Sequence, residues 1–163
     1  MSDLDEIVKT IEWKFAFLFE KGFMVSNKAF YENEFGNWIV SLDSTMFKIR
    51  LRQDKNDIFI SFGPIWASSE IRDFKHFFDL EVILAYLTGE KNYYPIASKG
   101  GKTEAVLEDL SRLTRLHLQE IARLFEPDRF VEKEEELHKL GKELFGQFID
   151  SLRRKNPTSQ GKS

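Results

Sequence analysis

The spacing of apolar residues predicts a helix at the start of the chain, from about Asp3 to Lys21, with Gly22 at its end. Seven apolar residues recur at three- and four-residue intervals on one face of this helix: Leu4, Ile7, Val8, Ile11, Phe15, Leu18 and Phe19. Trp13 and Phe17 lie four residues apart on the opposite face. We therefore expect this helix to have neighbours on two sides.

Between residues 22 and 62 the hydrophobic period changes to two, which predicts β-strands. Turn-forming residues near positions 33–37, 43–44 and 54–57 divide the segment into four strands, which short turns join into an antiparallel meander. The last three strands place nine apolar side chains on one face: Trp38, Val40, Leu42, Phe47, Ile49, Leu51, Ile58, Ile60 and Phe62. The first strand, near residues 23–31, alternates less cleanly.

Three more helices are predicted after the strands. A short buried helix covers residues 78–87, with Asp79 in position to cap its start and Gly89 as its stop. A long helix runs from Thr103 to the break at Pro127, and a final helix spans about residues 128–154. Gly141 lies in the apolar stripe of the final helix, where its missing side chain would permit a close crossing with another helix.

The order of these elements indicates an α+β fold. We expect an N-terminal helix, a four-stranded antiparallel meander, and then three helices packed mainly on one sheet face, with the other face partly open. The chain has 163 residues, which suits one domain over residues 1–155. Residues 91–102 are predicted to be a loop, and residues 156–163 a flexible tail because they lack apolar side chains.

A basic row occupies every second position of the third predicted strand: Lys48, Arg50 and Arg52. These side chains leave the same sheet face, which Phe59 would share. Cations beside an aromatic ring and hydroxyl groups suit the binding of nucleic acid or of an acidic protein. The alternative is a solvated sheet face with ion pairs to Asp43 and to Glu32 or Glu34. Both interpretations place the row on the open side of the sheet.

A second candidate surface is aromatic. Trp13, Phe17, Trp66 and the Tyr93-Tyr94-Pro95 segment place large rings where the local pattern does not require them. Tryptophan and tyrosine are common anchors of protein interfaces, so these residues are candidates for partner binding. The alternative is that the C-terminal helices bury them.

The chain lacks the sequence features of most metal and nucleotide sites. It has no cysteine, which removes disulfides, thiol nucleophiles and thiolate ligands. Gly101, Lys102 and Thr103 precede a predicted helix, as in phosphate-binding loops, but the full motif requires glycine at the position of Ile96. We therefore interpret the glycines as a flexible lead into the helix, and predict no cofactor.

The histidines do not form a recognisable ligand set or catalytic group. His76 lies three residues from both Asp73 and Asp79, but nothing elsewhere completes a metal site. His117 falls inside the apolar stripe of the long helix, where we expect a buried histidine with a hydrogen-bond partner. No residue is predicted to be catalytic, and no metal is predicted.

Charge and hydropathy limit the partners and the location. The formal net charge is -3 and the sequence pI is about 5.7, which argues against extensive binding to phosphate backbones. No apolar run approaches the roughly 20 residues of a membrane span, and the first residues do not resemble a signal peptide. We expect a cytoplasmic protein that does not enter membranes.

The layout of the chain resembles that of small uncharacterised bacterial proteins, including the immunity proteins of polymorphic toxin systems. The resemblance is carried by the order of elements and by an acidic-aromatic helix, FFDLEVILAYLTG, at residues 77–89. It implies a non-enzymatic protein-binding module, immunity-like or regulatory, that neutralises another protein by covering it. The alternatives are a nucleic-acid binder that uses the basic row, an enzyme with an unrecognised site near His76 or His117, and a homo-oligomer built through the final helices.

Overall fold

The computed structural model describes residues 3–91 and 102–155. The predicted tail at residues 156–163 lies outside the described residues. So do residues 92–101, which include most of the predicted loop with its Tyr93-Tyr94-Pro95 segment and the two glycines of the phosphate-loop candidate.

The described residues form six helices and five strands, and the predicted α+β class is confirmed. The helices are α1 (Asp3–Lys14), α2 (Ala16–Glu20), α3 (Leu80–Thr88), α4 (Thr103–Leu116), α5 (Leu118–Leu124) and α6 (Pro127–Lys155). The strands are β1 (Met24–Tyr31), β2 (Asn37–Asp43), β3 (Lys48–Asp54), β4 (Asp57–Gly63) and β5 (Phe78–Asp79).

The sheet is antiparallel, with its strands in the order in which the chain makes them. The predicted meander is confirmed, and the two-residue strand β5 is added at the β4 edge, where Phe78 pairs with Phe62 and Asp79 with Ser61. Strand β1 forms the opposite edge and carries an irregularity between Val25 and Asn27, which matches its weak alternation in the sequence.

One face of the sheet forms the hydrophobic core. All nine apolar side chains that the period of two assigns to this face are at most 4% exposed. The helices cover this face. A chain of ring contacts joins Phe47, just before β3, to Phe125, just after α5, and to Phe130 of α6. The alternation of the strands therefore predicted correctly which residues build the core.

Two predicted helices are interrupted in the structure. The first breaks at Phe15 (φ -108°, ψ 27°), between α1 and α2, and the long helix breaks at His117 (φ -108°, ψ 12°), between α4 and α5. Phe15 is nevertheless fully buried, as the helical spacing requires. A break that keeps the apolar side chains on the core side does not change the sequence pattern, so the spacing alone predicts one continuous helix.

The start of the short helix also differs from the prediction. Phe78 and Asp79 belong to β5, and α3 begins at Leu80. Asp79 occupies the N-cap position but makes no side-chain capping hydrogen bond, because its carboxylate accepts bonds from Arg52 and Ser61 on the sheet. Ion pairing and the hydroxyl contact have replaced the predicted cap.

The second face of the sheet is covered over β3 and β4 and is partly open at β1, where Asn27 is exposed. The irregular chain between β4 and β5, residues 64–77, crosses it, and we call these residues the covering segment. Single turns shape its path, with the amides of Ala67 and Asp73 each donating to a carbonyl three residues earlier. At its end the ring of Phe77 lies directly over Gly63, within 3.1 Å of where a β-carbon would stand. The predicted partly open face is therefore found at β1, whereas β3 and β4 are covered by a segment to which the sequence pattern assigned no place on the sheet.

Candidate functional site

The first half of the basic row is buried under the covering segment. Lys48 is 9% exposed, and its ammonium donates to the backbone carbonyl of Ala67 at 2.7 Å. Arg50 is 1% exposed and donates to the carbonyls of Ser68, at 2.7 Å, and of Asp73. Each cation therefore takes the place of solvent as the hydrogen-bond donor to an irregular backbone.

Aromatic rings of the covering segment complete the Arg50 site. The guanidinium lies 4.2 Å from the ring centre of Phe77 and 5.1 Å from that of Phe74. Burial lowers the pKa of Arg50, while the charges of Asp73, Asp43 and Glu70 act in the opposite direction. With two carbonyl acceptors and two rings around it, Arg50 holds the covering segment on the sheet.

Arg52 is partly buried and faces the end of the covering segment. It donates to both carboxylate oxygens of Asp79, at 2.8 and 3.3 Å, and to the Ser61 hydroxyl at 2.8 Å. Ser61 in turn donates to Asp79 at 2.5 Å. Arg52 also lies 4.5 Å from the ring centre of Phe59, which is buried. The guanidinium thereby joins β3, β4 and β5.

The basic row is therefore internal in this fold. The expectation that it lies on an open face was wrong for Lys48 and Arg50, both as a binding surface and as a solvated sheet face. The predicted ion pair with Glu34 is also absent from this row, since Glu34 pairs with Arg72 of the covering segment at 2.6 Å. Partners from solution reach only Arg52, at the margin of the covering segment.

That margin opens into a groove of about 610 Å³ between α6, the start of α3 and the covering segment. We call it the α6 groove. Its apolar lining is aromatic and aliphatic: Phe74, Phe77, Phe78, Val82, Leu137 and Phe145. Its polar lining comprises Arg52, Ser61, Lys75, Asp79, His138 and Lys142, with Gly141 on the helix between them. Apolar walls with a few polar groups are typical of binding sites of this volume.

Gly141 lines the α6 groove. It lies within a continuous helix, where glycine is about 1 kcal/mol less favourable than alanine. A β-carbon at this position would meet Val82 at 3.6 Å, which is an ordinary contact. The expected close helix crossing is therefore not what requires glycine here. The absent side chain instead leaves space in the wall of the groove.

Charge around the groove is mainly positive. Arg52, Lys75 and Lys142 contribute three cations, and Asp79 is the carboxylate in the lining. Asp79 is already paired with Arg52. The groove is thus an apolar surface with a net positive border on a protein whose net charge is negative.

A second polar cluster attaches the covering segment to α6 next to the groove. Glu134 accepts a hydrogen bond from Nδ1 of His76 and lies 3.4 Å from Nε2 of His138. The His76 ring packs edge-on against Trp66 with ring centres 4.6 Å apart. The fold thus brings His76 to α6 rather than to Asp79, and the cluster fixes one wall of the groove.

The predicted aromatic surface divides into separate places. Trp13, on α1, is 65% exposed and packs against the ammonium of Lys14, 4.0 Å from the ring centre. Phe17 is half-buried beside Arg115 of α4. Trp66 is 49% exposed and contacts Phe130 at the start of α6, close to the groove. The structure does not join these rings into one surface.

The remaining candidates contribute no recognisable chemistry. His117 marks the break between α4 and α5, with Nδ1 3.7 Å from a Glu120 oxygen and no hydrogen-bond partner among the described residues, so the expected satisfied histidine is not found. Within residues 3–91 and 102–155, no three histidine or carboxylate side chains are grouped to hold a metal ion. In the same residues, no helix combines the length and apolar character that a membrane crossing requires.

Comparison with known proteins gives no relative: the chain matches none of the family models, curated proteins or solved structures with which it was compared. The resemblance to immunity proteins therefore stays a prediction. Functional inference depends on the geometry of the groove.

The residues that build this groove were missed in the sequence, apart from Arg52. Phe145 and Lys142 follow an ordinary amphipathic pattern, and His138 lies at the edge of its helix. The available signal was Gly141, a glycine in the middle of a strongly helical segment. Gly141 indicated the helix that lines the groove, α6. Its role could be assigned only from the structure, which shows how far a β-carbon at this position would lie from Val82.

Proposed function

We propose that this protein is a non-enzymatic protein-binding module that holds an acidic segment of a partner protein in the α6 groove. The observation that carries the proposal is the combination of an apolar, positively bordered groove with a helix-interior glycine that the packing does not require. A groove kept open at a cost in helix stability supports a binding role.

The dimensions of the groove favour a short secondary-structure element as its occupant. Its lining follows α6 from Leu137 to Phe145, about 12 Å at the helical rise of 1.5 Å per residue. That length accepts roughly two turns of a partner helix or four residues of a strand. Phe145, which is 53% exposed at one end, provides an apolar contact for the occupant.

The charges favour an acidic occupant with apolar anchors. Lys75 and Lys142 border the groove, so carboxylates that flank an apolar anchor would meet cations, while the anchor contacts the aromatic lining. Such recognition combines apolar burial with charge steering, and its affinity falls as salt is raised. The earlier nucleic-acid alternative depended on an open basic row, and burial of Lys48 and Arg50 removes that support.

Fluorescence anisotropy with a defined probe tests the proposal. The probe is a labelled synthetic peptide of glutamates with phenylalanine at every fourth position. We expect wild type to bind it, and Lys142→Glu to weaken binding about tenfold through charge reversal. Gly141→Leu should abolish binding by filling the groove while favouring the helix.

The matched control is Lys139→Glu, which changes the same charge on an exposed part of α6 outside the groove lining and should bind as wild type does. Binding that survives Gly141→Leu, or that Lys139→Glu weakens as much as Lys142→Glu does, would contradict a groove site. Absence of binding by wild type at low salt would refute the proposal for this ligand class.

An immunity-like role in the cytoplasm is the narrower form of this proposal. Covering a toxin requires no chemistry from this chain, only a surface of fixed shape and charge. Co-expression with candidate bacterial toxins would test it: protection should be lost with Gly141→Leu and kept with Lys139→Glu. Protection that is equal for both variants would separate any such role from the groove.

A further inference from the structure

The turn between β1 and β2 carries an exposed aromatic ring on a strained backbone. Phe35 is 77% exposed and has φ of 62°, in the left-handed region that non-glycine residues rarely adopt. Gly36 follows with φ of 70°, and the amide of Asn37 donates to the carbonyl of Glu34 at 3.0 Å. A turn of this kind favours asparagine, aspartate or glycine at the position of Phe35.

Folding alone does not explain phenylalanine at this position. A left-handed conformation disfavours a residue with a side chain, and the exposed ring gains little from burial. The rings of strained, exposed residues of this kind cluster at binding surfaces. We call residues 32–36 the hairpin tip.

The surroundings of the hairpin tip are acidic. Glu32 and Glu34 flank Phe35 in sequence, and the neighbouring β3–β4 turn adds Asp54 and Asp57. The Asn37 side chain ties the two turns together by accepting from the amide of Lys55 at 2.7 Å. Arg52, Lys55 and Arg72 are the cations in this region. Arg72 is paired with Glu34 and Arg52 with Asp79, which leaves Glu32, Asp54 and Asp57 with Lys55, whose ammonium lies 5.8 Å from the ring centre of Phe35. The hairpin tip is thus an aromatic anchor among negative charges.

We propose that the hairpin tip of one copy docks into the α6 groove of a second copy, with Phe35 against its aromatic lining. The inference rests on the proposed function, because it uses the same groove and the same ligand chemistry. The charge of the tip complements that of the groove, where Arg52, Lys75 and Lys142 outnumber Asp79.

The positions of the two surfaces suit a closed dimer. Arg52 lines the α6 groove and also the adjoining cavity of about 350 Å³ beside Phe35 and Glu34, so tip and groove are neighbours across this side chain. A two-fold axis between two copies places each tip in the groove of the other, which gives a reciprocal contact that cannot extend into a fibre. The dimer occludes both grooves and therefore competes with the partner segment.

Sedimentation velocity over micromolar to near-millimolar concentrations tests the dimer. We expect wild type to pass from monomer to dimer at low salt. Phe35→Asn should remain monomeric and fold at least as stably, because asparagine tolerates the left-handed conformation. The matched control is Leu116→Asn, which removes an equally exposed apolar side chain from α4 and should dimerise as wild type does. A monomeric wild type, or a Phe35→Asn variant that still dimerises, overturns the inference.

A charge exchange gives a second, independent readout. Glu32→Lys and Lys142→Glu should each abolish the homodimer by opposing like charges. An equimolar mixture of the two variants should restore a dimer. One of its two contacts then brings the two substituted side chains together with their charges exchanged, and the other contact keeps the original charges. If both single variants are folded monomers and their mixture also stays monomeric, the tip does not meet the groove.

The two proposals fail in different ways. If wild type is monomeric but binds the glutamate-phenylalanine peptide, the groove function stands and self-association is refuted. If neither the dimer nor peptide binding is observed, both are refuted. If wild type dimerises and the peptide dissociates that dimer, while folded Gly141→Leu neither dimerises nor binds the peptide, both are supported.

Discussion

Arg50 shows that an alternating basic row in the sequence does not determine whether a sheet face is exposed. In sequence it is one member of an alternating basic row, which is typical of a solvated sheet face. In the fold it donates to the carbonyls of Ser68 and Asp73 and lies over the ring of Phe77. An irregular segment has carbonyls that no strand or helix satisfies, and the guanidinium supplies the missing donors. The charge of Arg50 therefore stabilises the packing of the covering segment on the sheet and does not face a partner.

Replacing Gly63 by alanine and replacing Gly141 by alanine should change the free energy of unfolding in opposite directions. Gly63→Ala would bring a β-carbon to 3.0 Å from the Phe77 ring, so we expect a loss of about 1–3 kcal/mol in the free energy of unfolding as the covering segment shifts. Gly141→Ala makes only ordinary contact with Val82 and removes a helix-interior glycine, so we expect a gain of about 0.5–1 kcal/mol. Urea denaturation measures both, and changes of the same sign would contradict this account.

At the scale of single residues, the sequence predicted which face of the sheet a side chain lies on, but not what surrounds that side chain. The period of two placed Lys48, Arg50 and Arg52 on one face, which is correct. It could not reveal what covers them, because the covering segment binds Lys48 and Arg50 through backbone carbonyls, which every residue possesses. The exposure of Trp13 was likewise undetermined, since helical spacing gives the face of a side chain and not the neighbour opposite it.

The helices are held to one another partly by charge. Lys14 of α1 lies 2.9 Å from a carboxylate oxygen of Glu108 and 3.6 Å from one of Glu104, both on α4. The hydrogen bond from Lys14 to Glu108, with the charges of both glutamates, raises the pKa of Lys14 above its usual 10.5. These two ion pairs fix the position of α1 relative to α4.

The raised pKa predicts a loss of stability in alkali. The ion pairs contribute their full stability below about pH 10.5, where Lys14 is charged in both the folded and unfolded states, and this contribution disappears as the pH rises through the folded-state pKa. Lys14→Met should therefore be less stable than wild type at neutral pH, with the difference vanishing in strong alkali. Urea midpoints across this range measure it.

The control for this prediction is Lys9→Met, an exposed position on the same helix. It removes the same charge and should show no comparable pH-dependent difference from wild type. A difference for Lys14→Met that persists unchanged at the highest pH would show that packing, rather than the ion pairs, is responsible.

Element boundaries were predictable where local chemistry determines them. Gly89, with φ of 80°, ends α3 as expected, and Pro127 is the first residue of α6, where proline needs no amide hydrogen. The breaks at Phe15 and His117 were not predictable, because neither residue is a helix breaker. Strand β5 was also missed, since two residues are too few to show a period and only pairing with Phe62 and Ser61 defines them.

At the scale of the whole molecule, the described residues form three layers: helices, sheet and covering segment. The first two share one apolar core, whereas the third is attached by Lys48 and Arg50 and by the rings of Phe74 and Phe77. An attachment through a few polar contacts opens at a lower free energy than a strand in the centre of a sheet. We therefore expect the covering segment to be less stable than the helices and the sheet.

Hydrogen exchange should resolve this difference. The amides of Ala67, Asp73 and Phe77 donate within single turns, whereas that of Leu51 belongs to a strand paired on both sides. We expect the three turn amides to exchange through a shared opening well before Leu51 exchanges. Lys48→Met should speed their exchange and leave Leu51 almost unchanged. Equal protection of all four amides would contradict a covering segment that opens separately from the sheet.

Attachment through carbonyl oxygens also bears on how this protein could change over evolutionary time. Ala67, Ser68 and Asp73 supply the acceptors for Lys48 and Arg50 from the main chain, so many substitutions at these three positions would leave those bonds intact. A deletion between residues 68 and 73 would move a carbonyl out of reach and leave a guanidinium without its acceptor. Descendants of this chain should therefore preserve the length of that stretch more strictly than the identity of Ser68 and Asp73.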